Sequence, residues 1–499
     1  MAAELADFQR LQARLPVIFR DVFPDPQAPR TVVILPSLSL DAEVLARIRG
    51  AHHYEERMLC LLLLLRLPRT RVIYLTSQPI PDSIIDYYLH LLPGIPTRHA
   101  RDRLTPLACH EAAPLPLAAK ILARPRLLER IRAAIGEAAT AHMSCFNVSA
   151  LERSLAVRLD VPIYGCDPAL LPLGSKSGGR RLLRAAGVAV PDGAEDLKDA
   201  QQLAEALAEL KRRNPAIERA VVKLNEGFSG EGNATFTFAG APLDRGLSKW
   251  VRGRLPQLAF EAKSMGWEFY ETKVTQMGAV AEAFVEGVEK RSPSAQYRVD
   301  PLGRVEVIST HDQVLGGRLG QVFLGCRFPA DAAYRLEIQA TGLRAAEALR
   351  DHGVLGRFGV DFISVWESGV WRHYGIEINL RKGGTTHPFL MLQFLTDGRY
   401  DPTTGDFRTP AGRPCCYQAS DNLEAPHYRG LTSEDLIDIA VMNGLHFHSA
   451  TQEGVAFHLL GALSEFGKLG LVAVAETPNR ANALYDETVA VIDRSAASV

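Results

Sequence analysis

Cysteine is scarce: seven residues in 499, with no CxxC pair, and Cys415 adjoins Cys416. That spacing excludes a disulfide scaffold and predicts reduced thiols. Neither sign of charge dominates, because 56 Lys and Arg face 57 Asp and Glu for a net charge of -1. No basic field is present to draw nucleic acid. Long hydrophobic runs are missing too. The longest unbroken apolar stretch covers 58–65, between Arg57 and Arg66, far short of the ~20 residues of a spanning helix. The opening MAAELADFQRLQARLP carries Glu4 and Asp7 and no apolar core, so no secretory leader is expected. Together these absences predict a soluble, cytoplasmic protein that engages neither nucleic acid nor membrane.

The usage of 47% apolar and 23% charged residues is ordinary for a globular chain. The length allows roughly three domains. TVVILPS (31–37) and RVIYLTS (71–77) read as buried strands. A helix-like stretch (40–67) lies between them and a second helix, PDSIIDYYLHLLP (81–93), follows, which suggests an open α/β layer. The three prolines in 102–117 suggest a loop, 125–141 a helix, and AVRLDVPIYGCDP (156–168) a strand and turn. The second region opens near Gly165. There, 174–193 reads as a Gly/Ser turn and short helix, 200–213 as a helix, and 218–238 as strand, Gly-rich loop, strand. An apolar segment (279–287), a hairpin around Pro301–Gly303, a helix (336–352) and the strand pair FGVDFISV/HYGIEINL come next. From about Asp401, 432–444 reads as a capped helix and 454–477 as a helix then a strand.

Four features carry chemistry. The segment KLNEGFSGEGN (223–233) follows a strand. Its glycines let backbone N–H groups approach phosphate oxygens, and Lys223 adds a point charge. It is neither a Walker A loop nor a convincing Rossmann fingerprint, and taken alone a solvated hairpin tip is the simpler reading. Asp361 in FGVDF and Glu377 and Asn379 in YGIEIN are hard oxygen ligands that suit Mg²⁺ if the two strands pair, because residues 377 and 379 share a face. An exposed polar strand face explains them equally well. In EAFVEGVE, Glu282 and Glu289 flank the apolar Phe284 and Val285, a pattern able to hold an adenine and a ribose, though a surface connector fits it too. Lys176 in GSKSGG is, alone, an ordinary solvated turn lysine.

The order of these features resembles that of the nucleotide and metal elements of ATP-grasp carboxylate–amine ligases, over about residues 165–390. KLNEGFSGEGNA, STHDQVLGG and INLRKGGTTHP carry a closer likeness to the pheganomycin-type peptide ligase group. The resemblance implies an α/β (α+β) chain. A pre-ATP-grasp α/β domain would occupy 1–164, an ATP-grasp fold of two α+β subdomains 165–400, and a small C-terminal α/β domain 401–499. It implies ATP contacts from Lys176, Lys223, Glu226, Gly227, Ser229, Gly230, Gly232 and Asn233, the loop closing as a lid. Glu282, Phe284, Val285 and Glu289 would form the adenine and ribose hinge. Asp361, Glu377 and Asn379 would bind one or two Mg²⁺, with Mn²⁺ an acceptable substitute. The group's chemistry is ligation through an acyl phosphate, joining a small-molecule carboxylate to an amine or peptide. A phosphotransferase and a non-catalytic ATP-binding scaffold are the alternatives, and homodimerisation is a family-level expectation. One departure is that many superfamily members place an Arg two residues before the metal Asp. Here that residue is Gly359, Arg357 is nearest, and Arg381 is the candidate for steadying the transferring phosphoryl group. Lys382 beside it is expected to grip an acyl phosphate or carboxylate. His311 is a candidate base or amine-orienting group, with a hydrogen-bonded structural role as the alternative. His446 and His448 suit one strand face, but no third zinc ligand is evident. Met442 is expected in the core.

Overall fold

A computed structural model describes residues 2–40, 42–226, 232–242, 244–262, 265–318 and 320–497. Strands β1 (Arg30–Leu35), β2 (Thr70–Thr76), β3 (Leu104–Ala108) and β4 (Ala141–Cys145) form a parallel sheet in the order β3-β2-β1-β4. All of β1 is buried, as expected of a parallel strand covered on both faces. The strand β3 falls where a loop is predicted. Pro106 lies on it, but β3 is the sheet edge and pairs only β2, a position that tolerates proline.

Strands β5 (Gly193–Leu197), β6 (Arg219–Leu224), β7 (Asn233–Thr237), β8 (Ala259–Phe260) and β9 (Ala279–Ala283) form a second sheet in the order β5-β9-β6-β7-β8. Its core packs Leu203 and Leu207 of the helix Ala200–Arg213 against Val222, Phe236 and Ala281.

The largest sheet begins with β10 (Lys290–Arg291), β11 (Pro293–Val299), β12 (Val305–Gly316), β13 (Val322–Phe328), β14 (Gly356–Glu367) and β15 (Val370–Asn379). The hairpin β16 (Arg399–Asp401) and β17 (Asp406–Arg408) stands apart from it. The sheet then takes in β18 (Cys416–Glu424), β19 (Gly454–His458) and β20 (Lys468–Ala475), in the order β10-β14-β11-β12-β13-β18-β20-β19, with β15 on the other side of β14. The chain beyond residue 400 therefore extends this sheet through the pairing of β13 with β18.

Several local readings are corrected. Residues 156–159 end the helix Ala150–Leu159, whose start carries a capping box between Ser149 and Glu152. That S-x-x-E signal is visible in the sequence and outweighs the β-branched Val157. Predicted as helix, 454–458 is a strand. The helix expected over 125–141 stops at Ile135, before β4. The stretch 40–67 breaks at Gly50, with a positive φ of 62°, into a short helix and a 3-10 segment, Ala51–Arg66. Met442 is exposed, not in the core. All seven cysteines are buried and free. Among the described residues, no helix is long and apolar enough to cross a membrane.

Candidate functional site

A cleft of about 850 Å³ opens between the second sheet and the strands β10–β15, lined by Lys176, Lys223, Asn233, Glu282, Asp361 and Glu377 among others. Lys176 starts the helix Lys176–Ala185, capped where Ser175 Oγ accepts from the Gly178 amide at 3.0 Å. A Cβ on Gly178 would stand 1.9 Å from the Pro172 carbonyl oxygen, so this turn requires glycine. Asn225 ties the helix to the end of β6. Its Oδ1 accepts from the Ser177 amide at 3.0 Å and from Ser177 Oγ at 2.7 Å, while its Nδ2 donates to the Met277 carbonyl. Lys176 and Lys223, 47 residues apart in sequence, are thereby brought to one wall.

At one end of the cleft, Lys223 pairs with Glu282, which also accepts from Arg180 Nη1 at 2.5 Å. Arg180 is wholly buried and binds Glu195 and the Pro191 carbonyl as well. Each charge is thus compensated, the condition for burying ions. Phe284 and Val285 follow on the cleft wall, with the Arg219 guanidinium 4.0 Å from the Phe284 ring centroid. Asn233 Nδ2 donates to Gln321 Oε1 at 2.8 Å.

At the other end, β14 and β15 pair with Asp361 opposite Glu377 and Gly359 opposite Asn379. Asp361 accepts from Ser294 Oγ at 2.6 Å and from Asn379 Nδ2 at 2.9 Å, and Gln313 also donates to it. Burial, then the adjacent Glu377, pushes the Asp361 carboxyl up to about 6. Burial also opposes charge on Glu377, but its ion pair with Lys176, and then Arg381 and Lys223, hold it below the ordinary carboxylate range. Two abutting carboxylates with an amide oxygen nearby form a hard oxygen donor set that a divalent cation would relieve, so these residues fit Mg²⁺.

Beyond the carboxylates the space continues for about 380 Å³, past Ser294, Gln296, Gly359, Arg381 and Gly384. A Cβ on Gly359 would lie 2.5 Å from Gln296 Nε2, so Gln296 fills the place of a larger residue there. Arg381 lines this second lobe. Burial lowers its pKa, opposed by Glu377 and then Asp361. The lobe's far wall was not legible in sequence. It is Tyr54 and Arg57 from the 3-10 segment with Asp421, Asn422 and Lys468 from the C-terminal strands. Arg57 Nη1 lies 3.0 Å from Asp421 Oδ2, and Lys468 Nζ donates to Tyr54 Oη at 2.8 Å and Asn422 Oδ1 at 2.6 Å. The partners are 364 and 414 residues apart, and no local pattern announces them.

Other candidates are placed elsewhere. His311 does not reach the cleft. The alternation of β12 turns it into the core, where Nε2 meets Tyr417 Oη at 2.7 Å and burial lowers its pKa to about 3. Its neighbour Asp312 lines the cleft instead. Lys382 points away from Arg381 and donates to the Cys145 carbonyl at 2.5 Å. Glu289 is half-exposed, pairs with Arg291 at 3.0 Å and is not a lining residue. Glu226 is exposed; Gly232 is buried, its carbonyl accepting from the Leu224 amide and Tyr270 Oη. Gly227, Ser229 and Gly230 lie outside the described residues. His446 and His448 make separate backbone bridges, and among the described residues no group of three or more His, Cys, Asp or Glu could hold a metal.

The chain matches the family described as "IQCH-like, ATP-grasp" over residues 170–239 and 245–402. It is 32% identical over 461 residues to L-propargylglycine–L-glutamate ligase of Streptantibioticus cattleyicolor, covering 91% of this chain and 92% of that protein. The chain belongs to the ATP-grasp family. Residues 435–488 match the family described as "PGM1 C-terminal domain". IQ motif-containing protein H of Danio rerio is 24% identical over 433 residues, 77% of this chain but 40% of that protein. In fold, the chain is similar to the biotin carboxylase of Campylobacter jejuni (TM-score 0.52, 15% identity, 91% and 89% of the two chains). It is also similar to N5-carboxyaminoimidazole synthase of Aspergillus clavatus solved with ADP and an aminoimidazole ribonucleotide (TM-score 0.52, 14% identity, 93% and 99%). The mixed parallel and antiparallel α/β architecture accords with these neighbours.

Proposed function

We propose that this protein is an ATP-dependent carboxylate–amine ligase that forms an amide through an acyl phosphate, releasing ADP and phosphate. The observation that carries this reading is the convergence of Lys176, Lys223, Asp361, Glu377 and Asn379 on one cleft, in a chain one-third identical to an amino-acid ligase. In it, residues 165–400 form the nucleotide unit, flanked by 1–164 and 401–499, which close the second lobe. Phe284 and Val285 flank the adenine. Lys176 and Lys223 receive phosphate oxygens as point charges. Glu282 is a positioning residue that fixes Lys223. Asp361, Glu377 and Asn379 would hold Mg²⁺, which when bound neutralises phosphate charge.

The reacting species are anions, a carboxylate and a triphosphate, so the residues around them must offset like-charge repulsion. Arg381, beside Asp361 and Glu377 on the second lobe, is positioned to steady the phosphoryl group as it passes to the carboxylate. The amine then displaces phosphate at the acyl carbon and loses a proton to solvent or a cleft base. The second lobe, with Arg57, Lys468 and Asp421, receives the small-molecule carboxylate and amine or peptide. Closure of the cleft away from water protects the acyl phosphate.

The test is ADP and phosphate release from Mg·ATP with and without pooled amino acids and short peptides, with products read by mass spectrometry. ADP that depends on substrate, with a product lighter than its parts by one water, is expected. A phosphorylated product would instead establish a phosphotransferase.

A further inference from the structure

A second cavity, of about 530 Å³, lies where the first sheet meets β11, β12 and β14, and it shares no lining residue with either lobe of the cleft. On β14, residues 357, 359 and 361 face one way. Gly359 and Asp361 border the cleft, and Arg357 enters the second cavity. On β11, Ser294 and Gln296 border the cleft and Arg298 the second cavity. At ~3.3 Å per residue, Arg357 stands about 13 Å along the strand from the metal carboxylate.

The charges in this cavity do not balance. Arg298 is paired with Glu306 and Arg66 with Asp397. The Arg357 side chain makes no hydrogen bond or ion pair among the described residues; Arg298 is its neighbour, and Glu306 offsets that repulsion only from a distance. Lys382 has only the Cys145 carbonyl as a side-chain partner among them. Tyr164 and His142 also line this space, and Tyr164 Oη and His142 Nδ1 are buried behind it without hydrogen-bond partners among the described residues. Burial pushes Lys382 down to about 8 and Arg357 to about 10, so each cation is held at a cost. Leu61, Leu64, Ile308 and Phe389 form an apolar part of the wall, and Arg30, Arg399, Gln393 and Tyr400 add further polar groups.

We propose that this cavity binds a small organic anion, an oxyanion head on an apolar body, with Arg357 and Lys382 gripping the head. A guanidinium and an ammonium beside an apolar stretch of wall match a carboxylate or phosphate of that kind. The site is independent of the nucleotide cleft and does not depend on the ligase reading.

The experiment is calorimetric titration of the full chain, with Mg·ADP saturating the first cleft, using 4-phenylbutyrate, 4-phenylbutyl phosphate and the uncharged 4-phenylbutanol. One or both charged probes should bind saturably, and the alcohol at least about tenfold more weakly. Which charged probe binds tighter identifies the head. Arg357→Met should weaken the charged probes by about tenfold or more while ADP affinity stays unchanged. Because the variant removes a buried cation that has no ion pair, its ligand-free Tm should equal or exceed that of the parent, and the charged probe should raise only the parent's Tm. Equal binding of acid and alcohol, wild-type-like binding by the variant, or no saturable binding of either charged probe would each overturn the proposal.

Discussion

The two lysines of the cleft form ion pairs that differ in kind. Lys223 meets Glu282, whose side chain is 3% exposed and is also held by buried Arg180. Lys176 meets Glu377, which is 26% exposed and faces Asp361 across the strand pair. The first pair belongs to a closed network in which every charge has an opposite partner and Glu282 has two. The second is open, with a like charge beside it and room for a cation. A buried, fully compensated pair fixes geometry and is costly to break, whereas a pair with a second carboxylate against it can exchange partners. On the proposed reading, the cleft divides into an end that positions and an end that reacts.

The largest effect is expected at the reacting end. Glu377→Gln keeps the shape but removes one of the two abutting carboxylates proposed to hold the metal. Several kcal/mol of transition-state stabilisation would go, so turnover should fall by on the order of 10³-fold. The fold should survive, because the residue is partly exposed and Lys176 can turn to solvent. Steady-state ADP release and a thermal melt check both parts. Full turnover would show that the paired carboxylates at this end have no catalytic consequence.

At the positioning end the balance reverses. Glu282→Gln takes from Lys223, 6% exposed, its carboxylate and leaves Arg180, 1% exposed, with Glu195 alone, and breaking such a buried network costs about 3–5 kcal/mol. Denaturant unfolding should report that loss, with weaker ATP binding as Lys223 loses its anchor. A variant as stable as the parent but inactive would move Glu282 to the reacting end and dissolve the distinction.

The reacting end was the more legible of the two. Asp361, Glu377 and Asn379 lie on two strands joined by a short turn, so alternation alone places them together. The lysine-bearing helix and the Gly-rich hairpin are likewise local, and the residue order carried their resemblance to ATP-grasp ligases. Arg180 gave no such signal: it reads as one more basic residue of an amphipathic helix, and its partners Glu195 and Glu282 are 15 and 102 residues away. His311 and Lys382 failed for another reason. Both sit beside residues that do reach the cleft, and a shift of one position along an extended chain reverses the face. The second lobe needed tertiary structure outright, since its wall joins residues 47–57 to 421–468.

The smallest effect sharpens the comparison from outside it. Glu289 matches the spacing of a ribose-binding carboxylate, yet its side chain is 44% exposed and pairs with Arg291, itself 48% exposed. An exposed pair of this sort contributes about 0–1 kcal/mol. Glu289→Gln should therefore leave stability within that range and the KM for ATP within about twofold, a difference of roughly 0.4 kcal/mol. A tenfold rise in KM for ATP with unchanged kcat would mean that this carboxylate closes onto the nucleotide when it binds. The positioning end would then extend past Phe284 and Val285 to residue 289, and its rigidity would belong to the Arg180 network rather than to the whole hinge.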